Sequence, residues 1–385
     1  MSPHNYHILF LTRWYPHQAD PQLGIFIRKH AKAASQYCRV SVLNVRADEN
    51  ATEKFRIIKN EEENFSETII HFKPASNRIS NYLRFGKAHY KGLQYITMRY
   101  GVPQLMQMNV MYGLCMITFS INKRIKIPYI IAEHWHGFVD NKFRDKNFYF
   151  KELFRLTARK AKAIITVSEF LKNGMIANDL QSKYFVVPNV VESIAGIKKT
   201  TTDKIRMLTV ADLDDDIKNI SGVINTLSDL IGEGLTSIEY HIIGGGKDEK
   251  KLKQFALEKG LSNSYIIFHG LQPNDYVLEF LNEIDFVIIN SRYETFSVIA
   301  AEALLAGKPL VCTRCGGVDD FVDSDCGYII NPGSNDELKN ALASMIGNYS
   351  QFDSEKLKQK INNRFSSATV GKQLFDIYKM IVDNN

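Results

Sequence analysis

Residues 286–289, Phe-Val-Ile-Ile, form a short β-branched run closed by polar residues. Residues 296–305 follow with the composition of a helix that is apolar nearly all round, stopped by Gly307-Lys308-Pro309. Such a run reads as a buried strand, and such a helix has almost no wet side, so the pair demands a layered α/β core. The loop between them then lies at the C-terminal mouth of a parallel sheet, where open α/β folds bind ligands. Glu294 falls in that loop and Glu302 about two turns into the helix, within roughly 12 Å by helical rise. Two readings fit these carboxylates. Glu294 is a dipole partner of the helix and Glu302 marks a wet edge; or both face one pocket and accept bonds from a polyhydroxylated ligand whose phosphate sits at the helix N-terminus. An ionisable group among Ile299, Ala300, Ala301, Ala303 and Leu304 is costly to bury without a bonding partner, which favours a site for a sugar phosphate or nucleotide.

The same alternation runs through the chain. Strands are expected at 6–11, 39–45, 68–72, 105–110, 128–132, 163–167 and 185–189, with helices at 25–37, 112–121 and 151–161 and another starting at Ser168-Glu169. Residues 49–67 are charged and weakly patterned and read as a surface excursion. Residues 78–100 read as one or two helices. After a Lys, Thr and Gly-rich linker at 196–204, a second α/β unit has strands at 205–210, 238–243, 265–268, 286–289, 310–312 and 327–330, with a helix at 219–230. The tail at 368–382 carries Val370, Leu374, Phe375, Tyr378 and Ile381 at helical spacing. The domains expected are 1–195, 205–365 and a terminal helix at 366–385, with a cleft between the two halves for a small polar substrate.

Weaker signals sit at strand ends. Gly24 after the first strand either lets backbone amides approach an anion or serves a turn, and no GxGxxG opens either half, which disfavours a dehydrogenase. Gly244-Gly245-Gly246 after a strand allow a tight turn or close approach of a ligand. His134 and His136 follow a strand, where histidines can donate to a substrate or be plain turn residues. The five cysteines form no metal framework: Cys312 and Cys315 make a CxxC with no second pair, so no metal site is expected. Their odd count and the absence of a secretory leader point to a reducing cytoplasm.

The net charge of +6 is unevenly placed, because no acidic residue occurs from His71 to Ala132 while nine Lys and Arg do. Interleaved with Tyr82, Leu83, Phe85 and Tyr90, these charges suit an anionic membrane face or a lipid-linked acceptor; alternatively the aromatics pack inward and the lysines stay wet. No nucleic-acid-binding motif accompanies them.

Taken together, Glu294 and Glu302 with seven residues between them, Gly307-Lys308-Pro309, Gly316-Gly317 and, more weakly, Gly24, Glu133-His134, Val167-Ser168-Glu169 and Pro188-Asn189 give a resemblance. The chain resembles the retaining, metal-independent glycosyltransferases of the group 1 family (family four). The resemblance implies an α/β GT-B fold: two Rossmann-like domains facing a cleft, with a C-terminal helix crossing back to the N-terminal domain. It implies that Glu302 binds the ribose and Glu294 the donor sugar hydroxyls, that Phe296, Ser297 and Val298 offer backbone amides, and that Lys218 neutralises the diphosphate. Gly24 and Gly245 would lie by the donor, and His134 near the reacting sugar. His134, Glu294 and Lys218 are thus the catalytic candidates. No cofactor or metal is implied beyond a UDP- or GDP-sugar as substrate.

The chain departs from that pattern at Ala211-Asp212, where Gly-Arg is usual, and carries Asp214, Asp215 and Asp216 nearby. Carboxylates beside a diphosphate work against affinity, unless Arg292 or Arg314 supplies the charge. Ser297 stands where glycine is common, and Val190 replaces a glycine after Asn189. The function expected is transfer of a sugar to a glycan or lipid-linked acceptor in surface polysaccharide, capsule or lipopolysaccharide synthesis, at the inner face of the plasma membrane. A nucleotide-sugar epimerase and a degenerate sugar-nucleotide-binding protein are the alternatives.

Overall fold

The computed structural model describes residues 6–17, 20–192, 202–261 and 264–384. The chain divides into two compact units, residues 1–190 with 367–385 and residues 191–366. Up to residue 201, the linker expected at 196–204 lies outside the described residues.

The first unit runs β1 (His7–Thr12), α1 (Ile25–Ser35), β2 (Arg39–Ala47), β3 (Phe55–Glu61), β4 (Phe65–Phe72), α2 (Arg78–Tyr100), β5 (Leu105–Asn109), α3 (Cys115–Ile125), β6 (Tyr129–Glu133), α4 (Phe148–Lys160), β7 (Ile164–Thr166), α5 (Glu169–Ala177) and β8 (Tyr184–Val186). Its sheet has the order β3-β4-β2-β1-β5-β6-β7-β8, and every pairing is parallel except β3 with β4. Residues 49–67, expected as a surface excursion, do lie largely at the surface around β3 but are ordered into strand. They hold an edge strand, paired Phe55 to Phe72 and Ile57 to Ile70, and the start of its neighbour. An edge strand with one solvated face carries charges that hide its period, which is why pattern alone missed it.

The second unit runs β9 (Ile205–Val210), α6 (Asp215–Lys218), α7 (Ile220–Gly232), β10 (Ile238–Ile243), α8 (Glu249–Glu258), β11 (Ile266–Gly270), α9 (Asn274–Phe280), β12 (Phe286–Ile289), α10 (Val298–Leu305), β13 (Leu310–Thr313), β14 (Gly327–Ile330), α11 (Asn335–Asn348) and α12 (Ser354–Phe365). The sheet is parallel throughout, in the order β11-β10-β9-β12-β13-β14. Its buried apolar core includes Met207, Leu227, Tyr240, Phe286, Ile288 and Leu342. Helix α10 starts at Val298, two residues later than its composition suggests. Ser297 before it has φ 64° and ψ 79°, a left-handed geometry that no helix continues and that costs a serine about 1 kcal/mol.

The last helix, α13 (Ser367–Asp383), follows the second unit in sequence but belongs to the first. Its buried stripe includes Val370, Leu374, Phe375, Tyr378 and Ile381, the residues whose spacing marked it. Tyr378 donates to Gln107 Oε1 at 2.6 Å, which satisfies a polar side chain in the buried centre of β5. Gly371 lies so close to α1 that a Cβ there would stand 2.2 Å from the Ala33 carbonyl oxygen. Gly371→Ala should therefore destabilise the protein by about 1–3 kcal/mol through overpacking, although alanine favours a helix by about 1 kcal/mol. Gly347→Ala in α11, where nothing lies within 4 Å of the added carbon, should be neutral or stabilising. Urea unfolding of the two variants checks the difference in sign.

Candidate functional site

In the second unit the loop after β12 is tied down before it reaches the helix. Asn290 Nδ2 donates to the Asn219 carbonyl at 3.0 Å, and the Arg292 amide donates to the Ile217 carbonyl at 2.7 Å. Thr313 Oγ1 donates to the Ser291 carbonyl at 2.5 Å. Next, the Glu294 amide donates to the Cys315 carbonyl at 2.7 Å, and Glu294 accepts from the Gly317 amide at 2.8 Å. A Cβ on Gly317 would fall 2.4 Å from the Phe296 nitrogen. Gly316-Gly317 therefore lets one loop lie flat on the other and clamps the glutamate in position. Phe296 itself points into an aromatic cluster with Phe321 and Phe365, at 5.3 and 5.4 Å between ring centres.

That clamp sets Glu294 against Lys218 at the end of α6. Lys218 Nζ donates to Glu294 Oε1 at 2.6 Å, and Ser291 Oγ donates to the same oxygen at 2.8 Å. Burial works against the Lys218 charge, but the Glu294 carboxylate and, further off, that of Asp212 outweigh it and hold the ammonium above its ordinary pKa. Lys218 is thus a fixed cation with an acidic partner already in place. Beyond Glu294, Ser297 makes no side-chain cap, and its buried hydroxyl has no hydrogen-bond partner among the described residues. The first turn of α10 presents its amides without that competitor. Glu302 lies inside α10, 4% exposed, between buried Ala301 and Ala303.

The acidic loop is largely engaged within its own unit. Lys247 reaches Asp214 and Asp216, both at 3.0 Å. Asp215 accepts from the Ser221 amide and hydroxyl at the start of α7. Of the two arginines weighed for the missing charge, Arg292 adjoins this loop through its amide bond to Ile217, whereas the Arg314 amide is tied to Ile330. Among the three glycines after β10, Gly244 and Gly246 are the constrained ones. An added Cβ would lie 1.9 Å from the Ala211 oxygen and 2.6 Å from the Leu213 nitrogen respectively. Gly245 between them would make only ordinary contacts at 3.7 Å, so packing alone does not require a glycine there. Lys308 donates to the Ile284 carbonyl at 2.7 Å.

In the first unit, Gly24 precedes α1 with φ 67°, and a Cβ would stand 2.6 Å from the Trp14 carbonyl. The glycine is required by that backbone approach. At the end of β6, buried Glu133 accepts from the amides of Met111, His134 and Trp135 at 2.9–3.0 Å. Burial raises its pKa to about 7 in spite of those bonds. It fixes the turn that carries His134, whose ring lies 4.4 Å from Phe26 and 5.7 Å from His30. Among the described residues neither His134 ring nitrogen has a hydrogen-bond partner, and burial with the neighbouring His30 holds the ring well below its ordinary pKa. His30 was not singled out from sequence, although its place with Ile27, Ala31 and Ala34 on the buried face of α1 marks it as inward. Ser291 was missed too, since nothing local distinguishes it from any loop serine. Among the described residues, no group of three or more His, Cys, Asp or Glu side chains is placed to hold a metal ion, and the five cysteines are buried and free.

Residues 190–364 match the model of the family Glycosyl transferases group 1. An uncharacterized glycosyltransferase of Methanocaldococcus jannaschii is 26% identical over 299 residues, covering 75% of this chain and 78% of the relative. Among solved structures, sucrose-phosphate synthase of Thermosynechococcus elongatus superposes with a TM-score of 0.79 at 13% identity, over 99% of this chain and 100% of the other. Anabaena HepE in complex with UDP-glucose does so at 0.70 and 16%, over 97% and 99%. The chain is a glycosyltransferase of GT-B fold, and its match to the group 1 model spans residues 190–364.

Proposed function

We propose that the enzyme moves a sugar from a nucleoside-diphosphate sugar, UDP- or GDP-linked, to a hydroxyl of a glycan or lipid-linked acceptor, with retention at the anomeric carbon and no metal ion. The observation that carries this reading is the half-buried Lys218–Glu294 pair, clamped by the Gly317 loop and followed by the uncapped start of α10. A cation and helix amides suit a diphosphate, and a carboxylate held in place suits sugar hydroxyls. In this reading Lys218, helped by Arg292, takes the diphosphate, Glu294 the donor sugar and Glu302 the ribose. The amides from Phe296 to Val298 serve the phosphates. The bond from the anomeric carbon to the diphosphate oxygen breaks, the bond to the acceptor oxygen forms on the same face, and the acceptor proton leaves on the diphosphate. In the first unit, the neutral His134 ring has hydrogen-bonding capacity left for a sugar hydroxyl.

We place the work at the cytoplasmic face of the plasma membrane, on cell-surface polysaccharide. Support comes from the first turns of α2, where Ile79 and Leu83 are 76% and 58% exposed beside Arg78 and Arg84. No helix among the described residues is long and apolar enough to cross a membrane.

Calorimetric titration with UDP, GDP, ADP and their sugar conjugates in EDTA should show a preference for one nucleotide. Glu302→Ala and Lys218→Ala should each weaken it about 10- to 100-fold, the worth of one hydrogen bond to a charged group. Unchanged affinity in Glu302→Ala would remove the ribose role. The state of His134 is open to a separate check. Its depressed pKa keeps the ring neutral, so its NMR ring-proton shift should stay flat from pH 8 to 5, whereas an exposed histidine titrates near 6.5. A midpoint in that window would show that the ring carries charge at working pH.

A further inference from the structure

The geometry points to a phosphate-recognising acceptor pocket in the first unit, built from Arg13, Arg46 and Arg78. The three line a cavity of about 650 Å³ together with Trp14, Tyr82 and Phe85, and among the described residues no aspartate or glutamate lines it. The volume falls within the range of sites that enclose small ligands. The inference rests on the transferase reading and adds to it the chemical class of the acceptor.

The arginines come from three separate places, the loop after β1, the end of β2 and the start of α2, and carry uncompensated charge. Arg46 at the end of β2 donates to Asn44 Oδ1 at 2.6 and 3.0 Å and to the carbonyls of Tyr15 and Pro16 at 3.4 Å, and among the described residues its Nη1 has no partner. Only neutral groups hold it. Arg13 lies over the Phe85 ring at 5.5 Å, and Arg78 opens α2. Among the described residues none of the three has an ion pair. Nearby carboxylates are committed elsewhere. Buried Glu67 accepts from Tyr15 at 2.5 Å, Arg28 at 2.8 Å and Asn60 at 3.0 Å. Asp20 accepts from the Gln22 and Leu23 amides, and Asp48 faces His71.

Other basic residues of this region do have local partners. Arg84 donates to the carbonyls of Lys73 and Pro74, Arg99 pairs with Glu61, and Arg124 lies over Tyr90. The cavity differs in gathering three guanidiniums in one place with no carboxylate in its lining among the described residues. Three guanidiniums exceed what one carboxylate neutralises and suit a phosphate of about −1.5 to −2 charge, which their forked donors match. Trp14 and Tyr82 offer flat amphipathic faces for the attached sugar.

Trp14 also makes the test direct. The chain has two tryptophans, so Trp135→Phe leaves Trp14 as the single reporter in the cavity. Its fluorescence in the full-length protein should respond saturably to glucose 1-phosphate, inorganic phosphate or vesicles containing phosphatidic acid, and not to methyl glucoside. Arg46→Gln and the exposed Arg78→Gln should each weaken the response at least fivefold. Response to the soluble phosphates assigns a soluble phosphorylated acceptor; response to the vesicles alone assigns a lipid-borne phosphate. Either supports the inference. Equal response to methyl glucoside, no response to any phosphate, or unchanged affinity in both arginine variants overturns it. Failure of the donor reading would appear instead as loss of nucleotide binding, with the Trp14 response intact.

Discussion

Both units are governed by one constraint: a parallel sheet flanked by helices buries its strands on both faces, and polar chemistry is left to the loops at the strand ends. β1, β5 and β6 in the first unit and β12 and β13 in the second are buried throughout, and β9 is buried in its middle. The charged and orphaned groups, Arg46, His134, Lys218, Glu294 and Ser297, all follow a strand or stand at its end. The sheet sorts the residues before any ligand does.

Glycine makes those loops dense enough to hold charge. Gly24 against Trp14, Gly244 and Gly246 against the 211–213 loop, and Gly317 against Thr295 and Phe296 are backbone-on-backbone contacts that a side chain would separate. Each brings a polar segment close to its neighbour, and the amides and carbonyls thus aligned fix carboxylates without mobile side chains. Glu294 is positioned in this way, and Glu133 by three amides. Ser297 shows the same demand from the other side: its left-handed backbone is the conformation for which a glycine would be the natural choice.

The two units handle electrostatics differently. In the second, Lys218 is answered by Glu294, and Asp214 and Asp216 by Lys247, so the loop is nearly balanced before a donor arrives. In the first, Glu67 is balanced by Arg28, but the arginines of the neighbouring cavity are not. A bound anion changes more at the unbalanced site, because no internal pair has to be broken.

Much of this architecture was legible in the sequence. The strand-helix alternation, the apolar strand before Glu294, the all-apolar helix and the stripe from Val370 to Ile381 follow from periodicity and the need to bury apolar surface. Local pattern failed where one face of an element is wet, as in β3, and where a backbone strain shifts a boundary, as at Ser297. It was also silent on Ser291 and Arg46, which carry no local mark. What the sequence by itself determined was which segments fold and which residues stand at strand ends. Only the tertiary structure decided that Lys218 meets Glu294 across 76 residues, and that arginines from the loop after β1, from β2 and from α2 share one cavity. Those meetings depend on strand order and on the depth of each loop, and neither is encoded in the spacing of apolar residues along the chain.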